Sequence, residues 1–202
     1  MSELTILTVT GGPIEVNTYV VSAPRREDCV LIDPGAEVSE IESAINGKRV
    51  TAVLLTHGHF DHILNASYFL DRGARLYAHE EDVPMLTSSM LNLSGMIGQR
   101  IRLPKPDVLL REGETIEAAG IRFLVLHTPG HTKGSVCLLT DDTLFSGDTL
   151  FYAGCGRTDL PGGDPAEMER SLDRLRKLDG NIAVYPGHGP ATKIKFERAF
   201  RL

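Results

Sequence analysis

At 202 residues and 42% apolar, the chain can bury about 70% of its unfolded surface, so one domain spanning residues 1–202 is expected. A formal net charge of −6 argues against nucleic acid or an anionic membrane as a partner. No apolar stretch approaches the roughly 20 residues that span a bilayer. The start, Met1-Ser2-Glu3-Leu4, lacks a basic leader. Cys29, Cys137 and Cys155 are too scattered for a disulfide framework, so the expected location is the cytoplasm.

The N-terminal third reads as strands over Leu4 to Val9, Val16 to Val21 and Val30 to Ile32, closed by the turn Asp33-Pro34-Gly35. Val38, Ile41 and Ile45 share one face of a short helix that Gly47 stops. A strand from Val50 to Leu55 then leads into Thr56-His57-Gly58-His59-Phe60-Asp61-His62. From Asp61 the pattern turns helical, with Ile63, Ala66, Phe69 and Leu70 on one face and Gly73 at the end. Asp61 lies near that helix's N-terminus, where a carboxylate is favoured.

Residues 86–104, rich in Leu, Met, Ser and Gly, read as a short helix and a mobile loop. This stretch is either ordinary core packing or an adaptable apolar wall over a substrate pocket. Further strands are expected over Ile121 to Leu126, Ser135 to Leu139 and Thr143 to Phe145. Asp164-Pro165-Ala166-Glu167 is a helix start with a cap, a first-position proline and an acidic residue behind it. Met168, Leu172, Leu175 and Leu178 form that helix's buried stripe up to Gly180. Ile182 to Tyr185 is the last strand, and it delivers Pro186-Gly187-His188-Gly189-Pro190. Two successive strand-then-helix halves imply two sheets face to face with helices outside.

Imidazole and carboxylate are ligands that suit zinc, iron and manganese, and strand ends are where such folds build active sites. His131 in Thr128-Pro129-Gly130-His131-Thr132, Asp148 in Ser146-Gly147-Asp148-Thr149, and His188 join His57, His59, Asp61 and His62 as candidate ligands. One tetrahedral ion needs only about four ligands, so these side chains suit two divalent ions. His57 and His59, two apart in extended chain, can point the same way. They are assigned with His131 to one ion, Asp61, His62 and His188 to the other, and Asp148 as the bridge. His79, among acidic neighbours, is expected at a helix start, and His127 either packed or as an outer hydrogen-bond partner. Asp33 is read as a turn residue, with an outer hydrogen-bonding role as the alternative.

The ordered set of THGHFDH, TPGHT, SGDT and a glycine-flanked histidine after a strand resembles the metallo-β-lactamase superfamily over essentially the whole chain. That resemblance implies an α+β fold, an αββα sandwich with two mixed sheets and the metals at one rim. Ala153-Gly154-Cys155-Gly156-Arg157 is similar to glyoxalase II, which implies hydrolysis of a glutathione thioester such as S-lactoylglutathione. It makes Arg157 a candidate contact for a substrate carboxylate. The chain ends soon after the His188 loop, without the C-terminal helical glutathione-binding domain of full-length glyoxalase II. The run Gly154 to Asp159 also resembles persulfide dioxygenases, which hold one iron with residues matching His57, His131 and Asp148. An ester or lactone hydrolase is a further alternative. Zinc is the first choice of metal, with iron or manganese open. The expected mechanism is attack of a metal-bridging hydroxide on the thioester carbonyl, with Asp61 orienting it and shuttling its proton.

Overall fold

The buried strands of the N-terminal half are apolar on both faces, and that double alternation builds the layers. In β3 (Asp28–Ile32), Val30 and Ile32 face one side while Cys29 and Leu31 face the other. In β4 (Arg49–Leu54), Ala52 and Leu54 oppose Val53 in the same way. Strands covered on both sides read as continuous apolar runs. The structure, a computed structural model, describes residues 4–200.

The first sheet has the order β1-β2-β3-β4-β5-β6. β1 (Thr5–Gly11), β2 (Val16–Ser22) and β3 pair antiparallel. β3, β4, β5 (Arg75–His79) and β6 (Val108–Leu110) pair parallel. The second sheet joins β7 (Thr115–Ala118), β8 (Ile121–His127), β9 (Val136–Leu139) and β10 (Thr143–Gly147) by antiparallel pairs. β10 pairs parallel with β11 (Ala183–Pro186), and β12 (Thr192–Lys193) closes the edge antiparallel. Both sheets are therefore mixed.

Between them, Tyr19, Ile32 and Leu54 pack against Phe123, Val125 and Phe145. The Tyr19 and Phe145 ring centroids are 5.2 Å apart. Ile41 and Ile45 of α1 (Val38–Ile45) and Phe69 of α3 (Ala66–Leu70) cover the first sheet's outer face. Met168, Leu172 and Leu175 of α5 (Pro165–Leu175) cover the second, with Ile194 of α6 (Ile194–Glu197). The result is the αββα sandwich. No helix among the described residues is long and apolar enough to cross a membrane.

Local differences from expectation have identifiable causes. The helix expected from Asp61 is two short ones, α2 (Phe60–Ile63) and α3, broken at Asn65. Asn65 turns away from the helix to donate from its backbone N–H to Pro34 O (2.9 Å) and from Nδ2 to Ala36 O (2.7 Å). α4 (Val83–Thr87) begins earlier than expected. The loop after it is pinned by Asn92, whose Nδ2 donates to Met85 O and Ile101 O and whose carbonyl accepts from Phe60 N–H. α5 starts as expected, with Asp164 Oδ1 accepting from the Ala166 and Glu167 N–H groups. It stops at Leu175, and Leu178 packs from the turn beyond.

Candidate metal centre

β8, β10 and β11 share one direction, so their C-terminal ends open at the same rim. β4 of the first sheet ends beside them, where Val136 N–H donates to Thr56 O at 2.8 Å. The rim therefore receives four loops. His57 and His59 leave β4 in extended chain, and Asp61 and His62 occupy the first turn of α2. His131, Asp148 and His188 follow β8, β10 and β11. The structure brings all seven predicted side chains together.

They fall into two groups, linked by a third cluster of His57, His62 and Asp148. His57, His59 and His131 place ligand atoms within 4.8 Å of one another, as do Asp61, His62 and His188. His59 Nδ1 and His131 Nε2 are 2.8 Å apart. Asp61 Oδ2 lies 3.2 Å from both His62 Nε2 and His188 Nε2. Asp148 stands between the groups, Oδ1 3.3 Å from His62 Nε2 and Oδ2 3.4 Å from His131 Nε2.

Burial and neighbouring charge together set the charge states. Burial, and then the imidazoles around it, hold His57 well below the usual histidine range. Burial and His131 push His59 down to about 3. Burial would also lower His62, but the Asp61, Asp148 and Asp33 carboxylates outweigh it and hold that imidazole well above its usual range. His188 is raised despite burial, by its hydrogen bond to Asp61 and the charge of Asp148. Burial works to raise Asp61 and Asp148, but the His62 charge, with hydrogen bonds from the neighbouring imidazoles, overcomes it and keeps both low.

Among the described residues, four buried side-chain atoms lack a hydrogen-bond partner: His57 Nε2, His59 Nε2, His62 Nε2 and Asp148 Oδ1. A buried polar atom left unpaired costs about 1–3 kcal/mol. Four such atoms on side chains gathered at one rim, all imidazole nitrogen or carboxylate oxygen, are donors that suit divalent metal ions, and the residues fit such ions.

Backbone must come close for this to work. A Cβ on Gly187 would lie 2.1 Å from Asp148 Oδ1, and one on Gly156 would lie 2.2 Å from Asp148 O. Only glycine fits at either place.

Outer contacts orient the cluster. Asp33 holds His62 Nδ1 at 2.9 Å and accepts from Thr56 N–H and Oγ1. Its outer hydrogen-bonding position, the less favoured alternative from sequence, is what the structure contains. Asp82 was not singled out from sequence. It accepts from Gly58 N–H, Thr132 Oγ1 and Gly134 N–H, tying the His57–His59 loop to the His131 loop. Nothing in Glu80-Glu81-Asp82 distinguishes it from its acidic neighbours. Asn17 was also missed. Its Nδ2 donates to Pro186 O (3.0 Å) and Gly189 O (2.8 Å), cradling the His188 loop. An asparagine inside the apolar strand Val16–Ser22, where that residue is disfavoured, was the available signal.

His79 caps the short turn Glu80–Asp82, accepting from Glu81 N–H, as expected of a residue at a helix start. His127 bonds to Lys133 O and stacks on His79, apart from the seven. The Arg157 guanidinium is exposed and paired with Asp159 at 2.6 and 2.7 Å. Its carbonyl accepts from His131 Nδ1 at 2.7 Å.

An αββα sandwich with imidazoles and carboxylates gathered at one rim defines a class of metal-dependent enzymes. The metallo-beta-lactamase superfamily matches residues 11–188, and the chain belongs to that superfamily, whose members bind divalent metals. It is 34% identical over 194 residues to a probable metallo-hydrolase of Bacillus subtilis, covering 93% of this chain and 91% of that one. Among solved structures, BLEG-1 B3 metallo-beta-lactamase superposes with a TM-score of 0.89 at 34% identity, covering 96% of each chain. A protein crystallised in a di-iron-bound form gives 0.82 at 36% identity, covering 96% of this chain and 98% of that one. This is a metal-dependent hydrolase superfamily, and the chain is a member of it.

Proposed function

We propose that the chain is a binuclear metal hydrolase that cleaves a small thioester, such as S-lactoylglutathione, in the cytoplasm. The observation that carries this reading is Asp148, whose two carboxylate oxygens face imidazoles of the two groups at 3.3 and 3.4 Å. His57, His59 and His131 would hold one ion, and Asp61, His62 and His188 the other, with Asp148 shared. Zinc is the first choice, and the relative crystallised in a di-iron-bound form keeps iron in play. When bound, such ions lower the pKa of water from 15.7 to about 7 and polarise a carbonyl oxygen.

The chain's own residues supply the rest. Asp61, held ionised among His62 and His188, orients the attacking water and takes its proton at a carboxylate oxygen. The leaving thiolate needs no strong acid, since thiols ionise near pKa about 8.5. The thioester is supported by the similarity of residues 153–157 to glyoxalase II and by their position against the centre. Gly156 N–H donates to Asp148 O, and Arg157 O accepts from His131 Nδ1. Arg157 would meet a substrate carboxylate by exchanging it for Asp159. A small-molecule partner suits the net charge of −6, and the free thiols of Cys29, Cys137 and Cys155 suit a reducing compartment.

The test is metal content per chain together with turnover on a panel: S-lactoylglutathione, a lactone, a β-lactam and glutathione persulfide with oxygen monitored. Two metals per chain and thioester cleavage, lost on chelation and restored by metal, are expected. One iron per chain with oxygen uptake would make it a persulfide dioxygenase. The similarity to BLEG-1 favours β-lactam cleavage as the second reading, and a β-lactam hydrolysed in preference to every thioester would establish it.

A further inference from the structure

Six acidic side chains are buried among the described residues. Asp61 and Asp148 belong to the centre, Asp33 and Asp82 orient it, and Asp28 pairs with Arg26. Glu197, 3% exposed at the end of α6, is the one still without a role. A carboxylate out of water is costly unless its oxygens are hydrogen-bonded. Oε1 accepts from Thr192 Oγ1 at 2.6 Å, and Oε2 accepts from Ala153 N–H at 2.8 Å. The end of α6 therefore holds the loop that follows Asp148.

Ala153 has a φ of 50°, in the left-handed region that a residue with a Cβ adopts only when its surroundings impose it. The turn around it is closed by Phe151 N–H, which donates to Gly154 O at 2.8 Å. Both sides of this turn reach candidate ligands. Before it, the Phe151 ring stands edge-on to His188 with centroids 6.0 Å apart. After it, Gly156 N–H donates to Asp148 O at 2.8 Å, and Arg157 O accepts from His131 Nδ1 at 2.7 Å. A carbonyl oxygen only accepts, so that bond places a proton on Nδ1, while Nε2 is the nitrogen that faces Asp148. Thr192, on the other side of Glu197, lies in β12, which pairs with the strand that delivers His188.

We infer that Glu197 is a positioning residue for the metal centre. Its carboxylate imposes the turn at Ala153, and the turn sets Arg157 O where it fixes the His131 imidazole with Nε2 turned toward a metal. Glu197 acts through the backbone of residues 153–157 rather than on a reacting atom. This role rests on the reading of the seven side chains as a metal site.

The test reads His131 directly. In zinc-loaded protein with 15N-labelled histidine, the wild-type Nδ1 proton should be shielded from water by Arg157 O and visible by NMR. In Glu197→Ala that proton should exchange too fast to be seen. Zinc should bind that variant about ten-fold more weakly in competition with a coloured chelator. Glu197→Gln keeps an oxygen for Ala153 N–H and should restore both readouts. Thr192→Val takes a partner from the other oxygen; it should lower the melting temperature and leave both readouts alone. Should Glu197→Ala not fold, Glu197→Asp, one methylene too short to reach Ala153, carries the same expectation. A shielded proton and wild-type zinc affinity in either folded variant overturn the proposal, as does an unshielded proton in wild type or equal harm from Thr192→Val. A chain that takes up no zinc sinks the metal-site reading instead, and the His131 proton, read on the protein as purified, still decides the part of Glu197.

Discussion

Of the seven candidate ligands, Asp33 bonds directly to His62 and reaches His57 only through Thr56 Oγ1, and it decides how the His62 imidazole presents itself. Its Oδ2 accepts from His62 Nδ1, so Nε2, which faces Asp61 and Asp148 at 3.2 and 3.3 Å, is the nitrogen that would be offered to a metal once its proton leaves. Partners of this kind typically carry 10–100-fold in metal affinity. Asp33→Asn should therefore weaken metal binding about 10–100-fold while the fold persists, read by competition with a coloured chelator. Affinity unchanged in a folded variant would remove Asp33 from the centre. The two groups should also differ in acid. His62 and His188 are raised, so protons compete for them already near neutrality, whereas His57 and His59 are lowered and stay free. As pH falls from about 8 to about 5, metal should leave the Asp61–His62–His188 group first, and content should step from two ions to one. Simultaneous loss of both ions, followed by elemental analysis across that range, would contradict the ordering. The string from His57 to His62 was readable because spacing alone puts its ligands on one loop. Asp33's outer role was legible only as the second of two readings and Asp82's not at all, because these roles lie in contacts to residues 29 and 50 positions away.

At the scale of elements, α5 does more than cover the second sheet. Ser171 Oγ donates to Pro129 O at 2.7 Å, and Asp164 N–H donates to Gly130 O at 2.9 Å, so the helix start holds the loop that carries His131. Losing the cap in Asp164→Ala should cost about 1 kcal/mol. For a chain of this size that is a fall of about 2–4 °C in melting temperature, measurable by calorimetry. A melting temperature equal to wild type would mean that water replaces the cap fully. Leu172, fully buried on the same helix, should cost about 2–5 kcal/mol as Leu172→Ala, read by denaturant unfolding. A cost under about 1 kcal/mol would mean that the layer collapses to fill the gap. α1, α5 and the long buried strands were readable because each has an unbroken apolar period. β5, β6, β7 and β12 were not. β5 opens on Arg75 and ends on His79, and β12 is only two residues long, so neither shows a period. The break at Asn65 depends on Pro34 and Ala36, which come close only once β3 and β4 have paired.

Over the whole molecule, the centre is a joint between two halves that otherwise meet through apolar side chains. His57, His59, Asp61 and His62 arrive from the first sheet, and His131, Asp148 and His188 from the second. Hydrogen bonds across the joint gather around the candidate ligands, and more cross it than those of Asn17 Nδ2 and Asp82. Asn17 N–H donates to Gly187 O at 2.7 Å, Tyr19 Oη donates to Pro186 O at 2.5 Å, and Val136 N–H donates to Thr56 O at 2.8 Å. Without metal, this seam would leave four buried atoms unpaired, each at a cost of about 1–3 kcal/mol, so bound metal should stabilise the seam more than the packed layers. An ion that binds only the folded chain at 1,000 times its dissociation constant adds about 4.1 kcal/mol. Chelation should therefore lower the melting temperature by about 8–16 °C, at about 2–4 °C per kcal/mol. The loss should not be uniform. Amide exchange should accelerate first in the loops at 57–59, 130–134 and 186–189, while strands β3, β4 and β10 keep their protection. A chelated protein that melts where the loaded one does, or that loosens evenly throughout, would show that apolar packing alone holds the halves in register.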